Sequence, residues 1–117
     1  MKEVKTFESK ICLGLREGYS GIIHSLDEVK QICQQYCNKV GLGLTITSTN
    51  FIYVDGQEEG CIIGLINYPR FPRTENEIFG HAEELAKIFI DKFKQERISI
   101  VCSDKTYMIE SSDLNRE

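Results

Sequence analysis

Two arginines directly follow the only two prolines of the 117-residue chain, in the stretch Tyr68-Pro-Arg-Phe-Pro-Arg73. Each proline fixes its own φ angle and restricts the residue before it, so we expect this Pro–Arg segment (residues 68–73) to be stiff and extended. It leads into Thr74, which opens a Thr-x-x-Glu capping box and therefore marks a helix start. Free N–H groups and the positive end of the helix dipole attract anions to such a terminus.

Guanidinium groups and aromatic rings are what the Pro–Arg segment offers to a ligand. Arg70 and Arg73 carry forked donors that suit a phosphate or a carboxylate. Tyr68 and Phe71 could stack on a base or on another ring. Together with the helix terminus at Thr74, these residues predict a binding site for a nucleotide-like or phosphorylated ligand.

A rigid connector is the alternative interpretation of the same segment. Glu75 and Glu77 are close enough in sequence to pair with the arginines, and Thr74 with Glu77 would satisfy the helix terminus. A proline also commonly lies in the connection that precedes a helix. The sequence leaves open whether the arginines face a ligand, a neighbouring subunit or these two carboxylates.

A second candidate site is the glycine loop (residues 16–21), Arg-Glu-Gly-Tyr-Ser-Gly, which is soon followed by His24. Its two glycines allow backbone N–H groups to approach a ligand closely. Arg16 and His24 could add charge, and Tyr19 could stack on a ring. The loop is neither a Walker motif nor a Gly-x-Gly-x-x-Gly fingerprint.

No motif in the chain is specific for a metal or for catalysis. The two histidines form no His-Glu-x-x-His pattern, and Gly-x-Ser-x-Gly is absent. His81 lies in a predicted helix, where we expect a partner to satisfy it. The acidic residues Asp55, Glu58 and Glu59 lack the spacing of a calcium loop and predict a solvated turn. We therefore expect no cofactor, no metal site and no catalytic residue.

Composition indicates an ordinary globular domain, with 41% hydrophobic and 27% charged residues. The net charge of −4 argues against binding of long nucleic acid, which needs a broad basic surface. No apolar run approaches the roughly 18 residues of a membrane span, and the polar N-terminus is unlike a secretory signal, so we expect a cytoplasmic protein.

The five cysteines form no Cys-x-x-Cys and predict free core thiols. Cys33 and Cys37 nevertheless share a helix face that a metal site could use.

Hydrophobic periodicity predicts the elements that hold these sites. Residues 5–15 alternate as a strand, and a Ser25–Glu28 capping box opens a helix that ends at Gly41. The later elements are a strand over 42–54 with a bend near 48–50, a turn over 55–60, a strand over 61–68, a helix from 74 to about 96, a strand over 97–102 and a short return strand over 106–109.

The order β-α-β-β-α-β predicts a ferredoxin-like sandwich of the α+β class, with two helices on one face of an antiparallel sheet and a possible extra C-terminal strand. We expect one domain over residues 1–110 and a frayed polar tail over 111–117. The continuous apolar run at 61–68 predicts a strand covered on both faces. Because the helices cover only one face, we predict a homo-oligomer, a dimer or higher. A monomer whose loops cover that face is the alternative.

Several short motifs resemble those of a family of small uncharacterised bacterial and phage proteins with ferredoxin-like folds. The matching pieces are Gly14-Leu15, the glycines of the loop, Ser25–Glu28, Gly43-Leu44-Thr45 and Phe93-Lys94-Gln95. The likeness spans residues 10–102 and does not include the Pro–Arg segment. It implies the fold and assigns no catalytic residue.

We interpret the chain as a small oligomeric protein that binds an anionic ligand near a subunit interface without turnover. The Pro–Arg segment of one chain would face the glycine loop or the sheet of another. Phage genomes encode compact oligomers that sequester immune signalling nucleotides, and the chain is similar to that anti-defence class in size and type of site. The alternatives are a small enzyme for an acidic substrate, with Tyr19, His24 or a cysteine moving protons, and an interaction module without a ligand.

Overall fold

The computed structural model describes residues 1–18 and 20–114, which fold into two helices and five strands. The elements are, in chain order, β1 (Glu8–Gly14), α1 (Leu26–Val40), β2 (Thr45–Tyr53), β3 (Gly56–Ile66), α2 (Glu75–Lys92), β4 (Arg97–Cys102), β5 (Thr106–Glu110) and a 3-10 turn (Ser111–Asp113). All strands pair antiparallel in the order β2-β3-β1-β4-β5. This α+β arrangement is compatible with a ferredoxin-like fold. Among the described helices, neither is long and apolar enough to cross a membrane.

One face of the sheet is buried against the two helices. Ile11 and Leu13 of β1 and Ile63 and Leu65 of β3 are fully buried, because alternate residues of a strand point to the same side. The helices cover them with the stripes that the sequence predicts. The buried helical residues are Val29, Cys33 and Tyr36 in α1 and Ile78, Ala82, Leu85, Ala86, Phe89 and Ile90 in α2.

Capping interactions begin both helices where the sequence predicts them. The Ser25 hydroxyl accepts a hydrogen bond from the Glu28 N–H, and the Glu28 carboxylate accepts one from the Ser25 N–H. Thr74 accepts from the N–H of Glu77 at 3.1 Å. Gly41 ends α1 in the left-handed region, with φ of 70°. The predicted helix starts and the C-cap glycine are confirmed.

The β2–β3 hairpin differs from its prediction in two ways. Pairing runs without interruption from Thr45↔Gly64 to Tyr53↔Gly56, so the bend expected near residues 48–50 is wrong. The turn consists of Val54 and Asp55 alone, with Asp55 at φ of 56°, so residues 57–60 belong to the strand. These polar residues are typical of a turn, but their backbone hydrogen bonds to β2 hold them in a strand.

The opposite face of the sheet is exposed in the single chain. Ile62 is half-buried, Ile66 and Val101 are exposed, and Met108 retains 53% of its accessible surface. Cover of β3 on both faces is therefore wrong for one chain, since helices pack on one side only. This face carries apolar residues that a second copy could cover.

The Pro–Arg segment turns back on itself instead of running extended. The Phe71 N–H donates to the Tyr68 carbonyl at 3.0 Å, and these two residues form an isolated β-bridge. Pro69 and Arg70 occupy the corner, because the fixed φ of proline suits the second position of a turn. The expected extended conformation is wrong.

The polar C-terminal tail is partly structured. Ser111 donates its N–H to the Glu96 carbonyl at 2.7 Å, residues 111–113 form the 3-10 turn, and Leu114 packs against the core. A frayed conformation is therefore wrong up to residue 114. Residues 115–117 lie outside the described part of the chain.

Candidate functional site

The two predicted sites lie at opposite ends of the sheet. The glycine loop follows Gly14, which pairs with Gly60, whereas the Pro–Arg segment follows Ile66, which pairs with Glu8. The length of β1 separates these pairs, roughly 20 Å at the rise of an antiparallel strand. One small ligand therefore cannot contact both sites of the same chain.

Intramolecular contacts hold two residues of the Pro–Arg site. Arg73 donates from its guanidinium to the Gly41 carbonyl, and its backbone N–H donates to the Asn67 side chain at 2.8 Å. The same guanidinium lies 3.8 Å from one carboxylate oxygen of Glu77, and the Thr74 hydroxyl donates to the other oxygen at 3.1 Å. These contacts are those of a rigid connector, and a ligand-binding role for Arg73 and Thr74 stays a prediction.

The aromatic residues of the Pro–Arg segment line a cavity beside the end of α1. The Arg70 guanidinium stacks over the Phe71 ring, 5.2 Å from its centroid, and Phe71 is 64% exposed. A cavity of about 400 Å³ adjoins Tyr68, Phe71 and Arg73 on one side and Asn38 on the other. The structure thus places three of the predicted ligand-binding residues around one cavity at this end of the sheet.

A short ladder closes the base of the glycine loop. Arg16 bridges to Ile23, the Glu17 N–H donates to the Ile22 carbonyl at 2.9 Å, and the His24 N–H donates to the Leu15 carbonyl at 2.7 Å. Arg16 is exposed at the start of the loop. Tyr19, the predicted stacking residue, lies outside the described residues.

His24 points inward and uses both ring nitrogens. Its Nδ1 lies 2.9 Å from a Glu28 oxygen, its Nε2 lies 3.2 Å from a Glu17 oxygen, and its side chain is 12% exposed. The ring stacks in parallel on Phe93, with centroids 4.0 Å apart. The hydrogen bond from His24 lowers the pKa of the Glu28 carboxyl. Direct ligand contact by His24 remains a prediction, and in this structure it fastens the loop.

A cleft of about 720 Å³ opens beside the glycine loop. The β2–β3 hairpin and the connection from α2 to β4 form its other walls. Its lining residues are Arg16, Gly18, Gly21, Tyr53, Glu58, Gln95, Glu96 and Arg97.

Glu58, which the sequence assigned to a solvated turn, lines this cleft. Other lining residues that were not predicted as site residues either are Tyr53, Gln95, Glu96 and Arg97. The half-buried side chain of Glu58 lies over Gly14, where an added Cβ would come within 2.9 Å of the Glu58 carboxylate. The carboxylate has no hydrogen-bond or ion-pair partner among residues 1–18 and 20–114. The pairing of Gly14 with Gly60 creates this position, and the sequence alone offers no signal for that register.

Both signs of charge meet in the cleft. Arg16 and Arg97 contribute guanidinium groups, and Glu58 and Glu96 contribute carboxylates, of which Glu96 pairs with Arg97 at 3.5 Å. The ring of Tyr53 adds an aromatic surface. Such a cleft complements a ligand that carries positive and negative groups together with a ring.

The cysteines and His81 are poorly placed for metal or nucleophilic chemistry. Burial raises the pKa of the Cys33 thiol to about 12 and that of the Cys61 thiol to about 11, so both are neutral near pH 7. The Tyr36 hydroxyl donates to a Glu84 carboxylate oxygen at 3.2 Å and accepts from Nδ1 of His81 at 2.8 Å, so His81 has a partner, as the sequence predicts. In the described residues no group of histidine, cysteine and carboxylate side chains is arranged to hold a metal ion.

Two solved structures share the fold of this chain at low sequence identity. No protein-family model and no curated protein sequence matches the chain. A phage SAM lyase in complex with S-methyl-5'-thioadenosine superposes with a TM-score of 0.80 at 16% identity, over 98% of this chain and 97% of that one. A phage SAM lyase in the apo state gives 0.79 at 17% identity, over 98% of both chains. At this identity the likeness establishes that the chain has the fold of these phage proteins.

Proposed function

We propose that the chain binds S-adenosylmethionine in the cleft beside the glycine loop and cleaves it to S-methyl-5'-thioadenosine. The observation that carries this proposal is the carboxylate of Glu58, which has no partner among the described residues and shares one cleft with Arg16 and Tyr53. The fold match to phage SAM lyase over 98% of the chain supports it.

The charges of the cleft match the groups of this ligand. S-adenosylmethionine carries an ammonium group, a carboxylate, a positively charged sulfur and an adenine ring. In our proposal Glu58 pairs with the ammonium group, Arg16 with the carboxylate, and Tyr53 stacks on a ring of the nucleoside. The ligand stays nucleotide-like, as the sequence predicts, but it is zwitterionic with a positive sulfur instead of purely anionic.

The product defines the bond that breaks. S-methyl-5'-thioadenosine keeps the sulfur, its methyl group and the adenosyl group, so the cleaved bond joins sulfur to Cγ of the methionine portion. In our proposal the carboxylate of the substrate attacks Cγ and closes a five-membered lactone, while the electron pair of the C–S bond returns to sulfur. Every atom is accounted for, no water enters and no proton moves.

In this reaction the main task of the protein is to hold the substrate in a reactive geometry. A carboxylate and a positive sulfur neutralise each other, so holding the methionine portion folded supplies much of the acceleration. Because the charge on sulfur vanishes in the transition state, a carboxylate beside it would stabilise the substrate more than the transition state. We therefore place Glu58 at the ammonium group, whose charge persists. The carboxylate that Arg16 binds loses its charge as the lactone forms, so Arg16 serves to bind and orient the substrate.

We infer that the working form is a homo-oligomer in which neighbouring copies complete the site. The tip of the β2–β3 hairpin combines exposed Ile52 and Val54 with Asp55, and the Pro–Arg turn combines exposed Phe71 with Arg70. These surfaces are complementary in charge and apolar character, and they lie at opposite ends of one chain. Contact between the tip of one copy and the turn of the next would bring the predicted Pro–Arg residues to the neighbour's cleft.

The test combines product analysis with two matched variants. The purified protein is incubated with S-adenosylmethionine, and the products are separated and identified by mass spectrometry. We expect S-methyl-5'-thioadenosine and a four-carbon lactone or its hydrolysed acid. Glu58→Gln should lower kcat/KM at least roughly 30-fold, the effect of losing a charged hydrogen bond. Glu59→Gln makes the same change on the other face of β3 and should stay within about twofold.

Three outcomes would contradict the proposal. Recovery of intact S-adenosylmethionine from a stable complex would favour the sequestering, anti-defence role that the sequence predicts. A protein that neither binds nor converts it would favour an interaction module. Equal losses in the Glu58 and Glu59 variants would remove Glu58 from the site.

A further inference from the structure

The backbone of Arg16 is fastened on both sides. The Gln95 side-chain amide donates to the Arg16 carbonyl at 2.7 Å and to the Phe93 carbonyl at 3.2 Å. The next residue, Glu17, is held through its carboxylate by Nε2 of His24 at 3.2 Å. The exposed guanidinium of Arg16 therefore extends from an anchored backbone toward the cleft.

His24 is itself fixed from several directions. The Phe93 ring stacks in parallel on one face of the His24 ring, with centroids 4.0 Å apart. On the side of α1, a carboxylate oxygen of Glu28 lies 2.9 Å from His24 Nδ1. Carboxylates only accept hydrogen bonds, so both contacts are hydrogen bonds when both ring nitrogens donate. The ring thus joins the loop, the start of α1 and the residue that follows α2.

We propose that His24 is a positioning residue that, through Glu17, directs Arg16 toward the carboxylate of the ligand. The inference rests on the proposed function, in which Arg16 binds that carboxylate. It makes His24 a determinant of specificity, because it favours ligands that keep the methionine portion over the nucleoside product that lacks it.

Two variants separate the contacts of His24. The side-chain amide of His24→Gln reaches the place of Nε2 and keeps a donor for Glu17. The shorter amide of His24→Asn reaches the place of Nδ1 and keeps a donor for Glu28 alone. His81→Gln, which changes the other histidine at the α1–α2 contact, serves as the control.

Affinity for S-adenosylmethionine is taken from KM in initial-rate assays, because the protein consumes this ligand, and affinity for S-methyl-5'-thioadenosine is taken from its inhibition of the same reaction. We expect His24→Asn to weaken binding of S-adenosylmethionine about tenfold, the scale of one charged hydrogen bond, and binding of S-methyl-5'-thioadenosine by less than about twofold. His24→Gln should recover most of the affinity for S-adenosylmethionine. The His81 variant should bind both ligands as the unaltered protein does.

Equal losses for both ligands in His24→Asn, or none for either, would overturn the positioning role. Hydrogen exchange of the free protein separates this result from failure of the proposed function. If the unaltered protein binds neither ligand, the proposed function fails and so does the specificity role. In that case, faster exchange of the Ile22 and Glu17 amides in His24→Asn, but not in the other variants, would show that His24 orders the loop and does not select ligands.

Discussion

The guanidinium group of Arg73 donates a hydrogen bond to the backbone carbonyl of Gly41, the residue that ends α1. The last carbonyls of a helix lack partners within it, so this contact ties the approach to α2 to the end of α1. We expect Arg73→Ala to lower the free energy of unfolding by about 1–2 kcal/mol in urea titrations. Arg70→Ala, at the exposed corner, should change it by less than about 0.5 kcal/mol. Equal effects would contradict a structural role for Arg73.

Gly60 marks a close contact between three strands. A Cβ at this position would lie 2.3 Å from the Phe51 ring and 2.5 Å from the backbone oxygen of Leu13. Gly60→Ala should therefore lower the free energy of unfolding by more than about 2 kcal/mol, because backbone must move. Gly43→Ala is the control, since nothing lies within 4 Å of its added Cβ. Thermal unfolding of the two variants measures the difference, and similar midpoints would argue against this packing.

Buried thiols make the stability of the fold depend on alkaline pH. Burial raises the pKa of Cys33 from its ordinary value of 9.0 to about 12, so the folded protein keeps a proton that the unfolded chain releases. This contribution is fully present below pH 9 and is lost as the pH rises through that interval. We expect the free energy of unfolding to fall as the pH rises from about 9 toward about 12, and to fall less steeply in Cys33→Ala. Parallel slopes would show that other groups cause the decline.

The hairpin tip provides a test of self-association. Val54 is 90% exposed in the single chain, so Val54→Lys should leave the fold of the chain intact. If the tip contacts another copy, the same change should shift the mass measured by light scattering toward the 13.4 kDa of one chain. Gln35→Lys, at an exposed position of α1, should keep the mass of the unaltered protein. An unaltered protein that already has the mass of one chain would contradict the oligomer.

Local signals were enough to predict the helices and the order of elements. Capping at Ser25 and Thr74 depends on residues within one turn, and the apolar stripes of α1 and α2 repeat at helical spacing. The first half of β3 was missed because its polar residues are strand only through pairing with β2. Pairing of that kind depends on tertiary context, which propensity does not report.

The candidate site was predicted only in part for the same reason. Arg16 and its loop were recognised from glycines and charge, which are local features. Glu58 was assigned to a turn, because its place over Gly14 follows from the register of two strands distant in sequence. The stacking of His24 on Phe93 joins residues from opposite ends of the chain, and no spacing rule connects them.

The central position of β1 has a consequence for biosynthesis. This strand leaves the ribosome first, yet its two neighbours are β3 and β4, and the pairing of Ser9 with Cys102 needs nearly the whole chain. Contacts that span so much sequence slow folding, since the intervening chain must first be brought together. Ile11 and Leu13 therefore stay unpaired until β3 and β4 have been synthesised, and we expect formation of this sheet to be slower than formation of the helices.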